Sequence, residues 1–277
     1  MHLTDSYIRL GARLLNLHQP LVMTIINVTP DSFFSGSRSY NQPDLRAALM
    51  RAVSEGADII DIGACSTRPS VQTAAGELAT EQQEWQRLDI ALSTAREMSV
   101  DVPLSVDTFR PAVARKAIEQ YGVAMINDVS GGSDQMYDLV AEYNVAYVLT
   151  YNRLHDQHTT ADLLSDAMAL LSRRVDALHQ RGVSDVIIDP GFGFGQTVDE
   201  SLSLLRNLSV LRHIGCPILA GISRKRMAYE PAGRTPDTCL EQTLALEEQA
   251  LQQGANILRV HDTADTRKMI NAQMVND

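Results

Sequence analysis

The chain has 277 residues, 44% of them hydrophobic and 21% charged, which suits a large buried core and excludes a disordered chain. Its net charge of −10 argues against nucleic acid or an anionic membrane as partner, because both are themselves negative. No apolar run approaches the ~20 residues that cross a bilayer, and Cys65, Cys216 and Cys239 are too few and too scattered for a disulfide framework or a zinc site.

The first stretch, MHLTDSYIRLGARLLNLHQP, lacks the basic-then-apolar layout of a secretory signal, so a cytoplasmic protein is expected. From there short apolar runs alternate with longer amphipathic ones. The predicted strands are 21–29, 58–64, 103–108, 124–130, 146–151, 185–191, 217–223 and 256–261. Helical segments are expected between them, at 43–56, 111–122 and 243–254 among others, several stopped by a glycine just ahead of the next strand. Eight β-then-α units imply a parallel sheet, and that number favours closure into a (β/α)8 TIM barrel spanning 1–277 as a single domain. An open doubly wound sheet is the competing layout, but no G-x-G-x-x-G follows the first strand.

In such a barrel the active site gathers at the carboxyl ends of the strands. Those ends carry Asn27, Asp61, Asp107, Asn127 with Asp128, Asp189, Ser223 with Arg224 and Lys225, and Arg259 with His261. A single Asp there is ordinary helix-capping chemistry. Polar groups at seven of eight ends converge in space and call for a ligand. Asp107, Asp189 and Asn127 match a flat, nitrogen-rich heterocycle, since a carboxylate pairs with the two N–H groups on the edge of an aminopyrimidinone. In DPGFGFGQ (189–196), Gly191, Gly193 and Gly195 leave room for backbone and ring to meet, while Phe192 and Phe194 are equally suited to a pocket wall or to the core. Lys225, Arg259 and His261 share one rim and favour an anion. Only one of seven histidines stands at a strand end, which suits Mg2+ on one or two oxygens plus substrate phosphates better than zinc. The segments 27–40 and 64–70 are polar and turn-rich, either plain connectors or lids that bring Arg68 over the substrate.

The segments NVTPDSF (27–33), GADIIDIGACSTRP (56–69), SVDT (105–108), INDVSGG (126–132), DPGFGFG (189–195), GISRK (221–225) and RVHD (259–262) resemble, in order, those of the dihydropteroate synthase family. That resemblance implies a (β/α)8 barrel that joins 6-hydroxymethyl-dihydropterin diphosphate to 4-aminobenzoate and releases pyrophosphate in folate synthesis. It implies catalytic roles for Asn27, Asp107, Lys225, Arg259 and His261. The pterin is expected on Asp107, Asn127, Asp189, Gly193, Lys225 and Arg259. The diphosphate falls to Asn27, Thr67, Arg259 and His261, with Asn27 also holding Mg2+. Phe33, Thr67, Arg68, Pro69, Phe194 and Arg226 are expected around the aminobenzoate, and the family implies a homodimer.

The sequence departs from the family pattern at several points. In the second loop Ala64, Cys65 and Ser70 replace Gly, Glu and Gly. Gln196 replaces a Lys, "TYN" (150–152) replaces a Met-His-Met, and Arg226 stands where a Ser usually binds the aminobenzoate carboxylate. Arg226 therefore has two readings, a contact to that carboxylate or a surface pair with Glu230. None of these changes touches a pterin or diphosphate position. The implied mechanism is dissociative, with a pterin-methyl cation stabilised by Asp107 and trapped by the neutral amine, so no enzyme nucleophile is required. The alternatives are a methyl-tetrahydrofolate methyltransferase-like enzyme and a non-catalytic pterin-binding paralogue.

Overall fold

The computed structural model describes residues 7–29, 42–65, 79–154 and 162–274. Two antiparallel strands come first, Tyr7–Leu10 (β1) and Arg13–Asn16 (β2), which the sequence reading does not anticipate. Four-residue strands are too short for alternation to stand out. Their buried face is Ile8 and Leu10, and these pack with Met23, Ile59, Met125, Val148, Ile187, Leu219 and Ile257. The hairpin thus closes the base of the barrel with apolar side chains.

The eight expected strands all form, each inside its predicted run: Leu21–Asn27 (β3), Ile59–Gly63 (β4), Leu104–Asp107 (β5), Met125–Asp128 (β6), Ala146–Thr150 (β7), Val186–Asp189 (β8), Leu219–Ala220 (β9) and Ile257–Val260 (β10). They pair in parallel in the order β8-β7-β6-β5-β4-β3-β10-β9. A parallel bridge between Ile188 and Ile218 joins the two ends, so the sheet is closed. β9 is only two residues long, shorter than the expected 217–223, because the chain turns away into the Ser223–Lys225 segment.

Helices Gln42–Ser54 (α1), Glu81–Glu97 (α2), Pro111–Tyr121 (α3), Asp134–Tyr143 (α4), Leu163–Gln180 (α5), Val198–Arg206 (α6), Arg226–Tyr229 (α7), Leu240–Gln252 (α8) and Thr263–Met274 (α9) surround the sheet. Their local signals are ordinary. Thr80 and Thr197 head capping boxes with Gln83 and Glu200, and Gly122 closes α3 in a left-handed conformation at φ 67°. Outward strand residues such as Ile60, Ile62, Val106, Ile126, Tyr147, Leu149 and Ile188 form one apolar layer with the inner faces of these helices.

The inward positions follow the two-residue period of a strand. They run from apolar at the base to polar at the top: Ile59, Asp61, Gly63 on β4; Met125, Asn127 on β6; Ile187, Asp189 on β8; Ile257, Arg259 on β10. The polar residues therefore stand above a dry core, at the carboxyl end of the barrel.

Candidate active site

Strand register sets the first layer of the site. Asn27 pairs with Gly63, Gly63 with Asp107, and Asp107 with Asn127, so the four lie on one rung and face the same side. Gly63 is the gap in that rung: a Cβ there would stand 3.4 Å from the Asn27 Oδ1 and 3.5 Å from the Asp107 Cβ. Across the mouth, Gly221 plays the same part. A Cβ at Gly221 would lie 3.8 Å from the Lys225 Nζ and 4.0 Å from both the Asp189 Oδ2 and the Arg259 Cβ. Two glycines thus keep open a space whose walls are Asn27, Asp107, Asp189, Lys225 and Arg259. The sequence-predicted pterin residues and Asn27 are brought together.

The electrostatics centre on Arg259. Its Nε donates to the Asp61 Oδ2 at 2.7 Å and its second amino group to the Asp107 Oδ2 at 2.8 Å. The Asn127 amide donates to the same Asp61 oxygen at 2.9 Å. Asp61 is fully buried, and so acts as the shared anchor of two predicted ligand-binding residues. Burial pushes the Asp107 carboxyl up to about 7, against the pull of Arg259, with Asp61 adding to the rise. Asp189 is raised as well, by burial first, while Lys225, the Gly191 amide and Arg259 oppose it. Burial brings Lys225 down to about 8, with Asp189 and Asp107 resisting and Arg259 reinforcing the fall.

Asp189 uses one oxygen internally: Oδ1 accepts the Gly191 N–H at 2.7 Å. Lys225 Nζ donates to the Phe192 carbonyl at 2.6 Å and sits 4.9 Å from the Phe194 ring centre. The two phenylalanines thereby part company, since Phe192 is fully buried in the core while Phe194 stays partly open beside Lys225. The first glycine of this turn has a cause other than room for a ring. Gly191, at φ 68°, would drive a Cβ to 1.8 Å from the Tyr151 carbonyl, so the close approach is of backbone to backbone. Gly193, at φ 81° and exposed, is the one next to Lys225.

His261 stands at the rim, its N–H and Nδ1 both 3.2 Å from the Ser223 hydroxyl. Arg224 takes a left-handed backbone at φ 58° and its guanidinium grips Asp262 at 2.6 and 3.2 Å, which ties the Lys225 segment to the His261 segment. Arg226 lies at the start of α7 and bonds Glu230 at 2.6 and 3.0 Å, the surface pair of its two readings. Asp128 turns outward and binds Ser130 and the Tyr147 hydroxyl. The expectations for Phe33, Thr67, Arg68 and Pro69 fall outside the described residues.

Six buried side-chain oxygens have no hydrogen-bond partner among the described residues, and four of them point into the barrel: Asp61 Oδ1, Ser105 Oγ, Asn127 Oδ1 and Thr150 Oγ1. Leaving such a group unpaired costs about 1–3 kcal/mol, so their clustering marks a place where a polar ligand or ordered water completes the bonding. The sequence reading names Asp61 without a role and passes over Ser105, Thr150 and Gly221. Counting two residues back from Asp107 would have found Ser105 as an inward position, whereas the fifth predicted strand ends in no acid from which Thr150 could be counted. Asn27 and Asp107 offer hard oxygens to this space, and the amide oxygen of Asn27 beside Asp107 suits Mg2+, which takes one or two protein oxygens together with phosphate oxygens.

Comparison with known proteins points the same way. The model of the pterin binding enzymes matches residues 23–261. A dihydropteroate synthase from Bacillus subtilis (strain 168) is 36% identical over 256 residues, covering 90% of this chain and 86% of that protein. One from Clostridium beijerinckii is 33% identical over 94% of this chain and 96% of its own. Among solved structures, the Xanthomonas albilineans dihydropteroate synthase with 4-aminobenzoic acid is 35% identical, with a TM-score of 0.89 and coverage of 99% and 98%. The same enzyme in complex with 7,8-dihydropteroate superposes with a TM-score of 0.85 at 33% identity, covering 98% of each chain.

Proposed function

The chain belongs to the pterin binding enzymes, as a transferase of the dihydropteroate synthase kind, and on that premise we propose how its own residues carry the reaction. The substrates are 6-hydroxymethyl-7,8-dihydropterin diphosphate and 4-aminobenzoate, the products 7,8-dihydropteroate and pyrophosphate. The observation that supports this most is the set of unpartnered buried oxygens inside a barrel whose mouth also carries Asp189, Lys225 and Arg259.

Asp189 accepts from the N–H edge of the pterin through Oδ2, because Oδ1 is engaged with Gly191. The Asn127 Oδ1 accepts a ring N–H, and Lys225 donates to the ring oxygen and N5 side. Asp107 faces the exocyclic carbon. As the carbon–oxygen bond breaks, the electron pair leaves with the pyrophosphate, and the Asp107 carboxylate stabilises the positive charge left on the pterin-methyl group. Arg259 and His261 offer donors to the departing diphosphate. The lone pair of the neutral amine then forms the carbon–nitrogen bond, and the amine proton passes to pyrophosphate or solvent. Asn27 would hold Mg2+, which supplies charge neutralisation for the diphosphate when bound. Phe194 stands on the side where the aminobenzoate enters.

The setting we propose is the homodimer that the family resemblance implies, in the cytoplasm. The test of the whole reading is one assay with pterin diphosphate, Mg2+ and 4-aminobenzoate, following dihydropteroate and pyrophosphate together. Pterin binding without either product would instead favour the non-catalytic paralogue.

A further inference from the structure

Gln196 is buried, 7% exposed, at the end of the turn that carries Phe192 and Phe194. Its Nε2 donates to the Gly191 carbonyl at 3.1 Å and the Pro190 carbonyl at 3.3 Å. Its Oε1 accepts the Ser201 hydroxyl of α6 at 2.9 Å and faces the Gly193 N–H at 3.4 Å. The turn alternates in hand, with Gly191 and Gly193 at positive φ, so carbonyls and an N–H converge on one interior point. A primary amide meets both needs at once. An ammonium offers donors only and a carboxylate acceptors only, so neither a lysine nor a glutamate can replace it in kind.

We propose that Gln196 is a positioning residue for the pterin pocket: it locks the Pro190–Gly195 turn so that the Phe192 carbonyl holds Lys225 over Phe194 and beside Asp189. Hydrogen bonds supply each link. Gln196 binds residues 190, 191 and 193; Phe192, between them, accepts from the Lys225 Nζ at 2.6 Å; Gly191, also held by Gln196, donates to Asp189. This inference rests on the assignment of that pocket to the pterin.

Calorimetry with 6-hydroxymethylpterin, paired with thermal melts, tests it on Gln196→Met, Gln196→Glu and the reference Asp189→Asn. Both Gln196 variants should raise the pterin Kd about tenfold, as expected when buried peptide groups lose their partners. Gln196→Glu should recover part of that loss, relative to wild type at the same pH, as the pH falls and its protonated carboxyl regains a donor. A lowered Tm with an unchanged Kd in both variants would make Gln196 merely structural and overturn the proposal. If Asp189→Asn also binds normally, the pterin pocket itself is misassigned; if only Asp189→Asn loses binding, the fault lies with Gln196 alone. Should neither Gln196 variant fold, Ser201→Ala removes just the hydroxyl on Oε1: a twofold or larger rise in Kd supports the role, and no rise rejects it.

Discussion

Arg259 and Asp61 are bonded at the barrel mouth from strands separated by β3, Nε to Oδ2 at 2.7 Å, and the Asp61 side chain is wholly buried. The same oxygen also carries the Asn127 amide, so one carboxylate orients a cation and an amide that both face the ligand space. Removing one partner of a buried pair costs roughly 3–5 kcal/mol, because the other charge is left without compensation. Asp61→Ala should therefore lower the Tm and reduce kcat/KM about 100-fold, near 2.7 kcal/mol of transition-state stabilisation. Steady-state kinetics at a temperature well below the melt separates the two effects, and activity within threefold of wild type would show that Arg259 orients itself.

The pH profile should be a bell. Asp107, raised by burial to about 7, is protonated below that value and cannot stabilise a cation, so kcat/KM rises as the pH passes through it. Lys225, lowered by burial to about 8, loses its charge above that value, and the alkaline limb falls. The limbs belong to an interacting cluster rather than to either residue alone. Lys225→Arg keeps its charge at any accessible pH and should remove the alkaline limb while leaving the acid one.

Bond breaking ahead of amine attack implies that pyrophosphate leaves even when 4-aminobenzoate is omitted, with water trapping the cation slowly. Pyrophosphate measured against a no-enzyme control, with Mg2+ present, should exceed the control without amine and rise steeply once it is added. Release that begins only with the amine would indicate concerted displacement.

Arg226 is exposed and occupied by Glu230 at i+4, an arrangement worth under about 1 kcal/mol. From that geometry Arg226→Ala should leave the KM for 4-aminobenzoate within threefold of wild type. A tenfold rise, with the pterin diphosphate KM unchanged, would reinstate the contact to the aminobenzoate carboxylate in place of the hydroxyl usual in the family.

Glu247, on α8, is 1% exposed; the Thr266 hydroxyl donates to Oε2 at 2.8 Å and Oε1 has no partner among the described residues. Burial raises its carboxyl to about 8. Between the ordinary carboxylate range and about 8 the folded protein keeps a proton that the unfolded chain releases, so stability falls as the pH rises through that window. Glu247→Gln preserves an acceptor for Thr266 without a titrating group. Its Tm relative to wild type should be higher at pH 8 than at pH 5.5 by about 2 °C or more, and an equal difference at both values would place the carboxyl in solvent.

The period-two runs, the glycine stops and the polar strand ends were enough to read eight parallel β-then-α units and to place Asp107, Asn127, Asp189, Lys225 and Arg259 on one rim. Those signals are local: alternation, capping and turn chemistry act over a few residues and survive in a linear reading. Three things were decided only in three dimensions. The β1–β2 hairpin packs Ile8 and Leu10 under the barrel, a match between segments that no short window contains. Gly191 is required by the Tyr151 carbonyl, 40 positions away in the chain, rather than by a ligand ring. Asp61 becomes the anchor of the site because β10 pairs with β3, one strand away from β4, and a carboxylate taken out of water must find Arg259 and Asn127 or lose its charge. Sequence determined which groups reach the mouth; the closed sheet decided which of them hold one another, since buried charges are paired by distance in space and not along the chain.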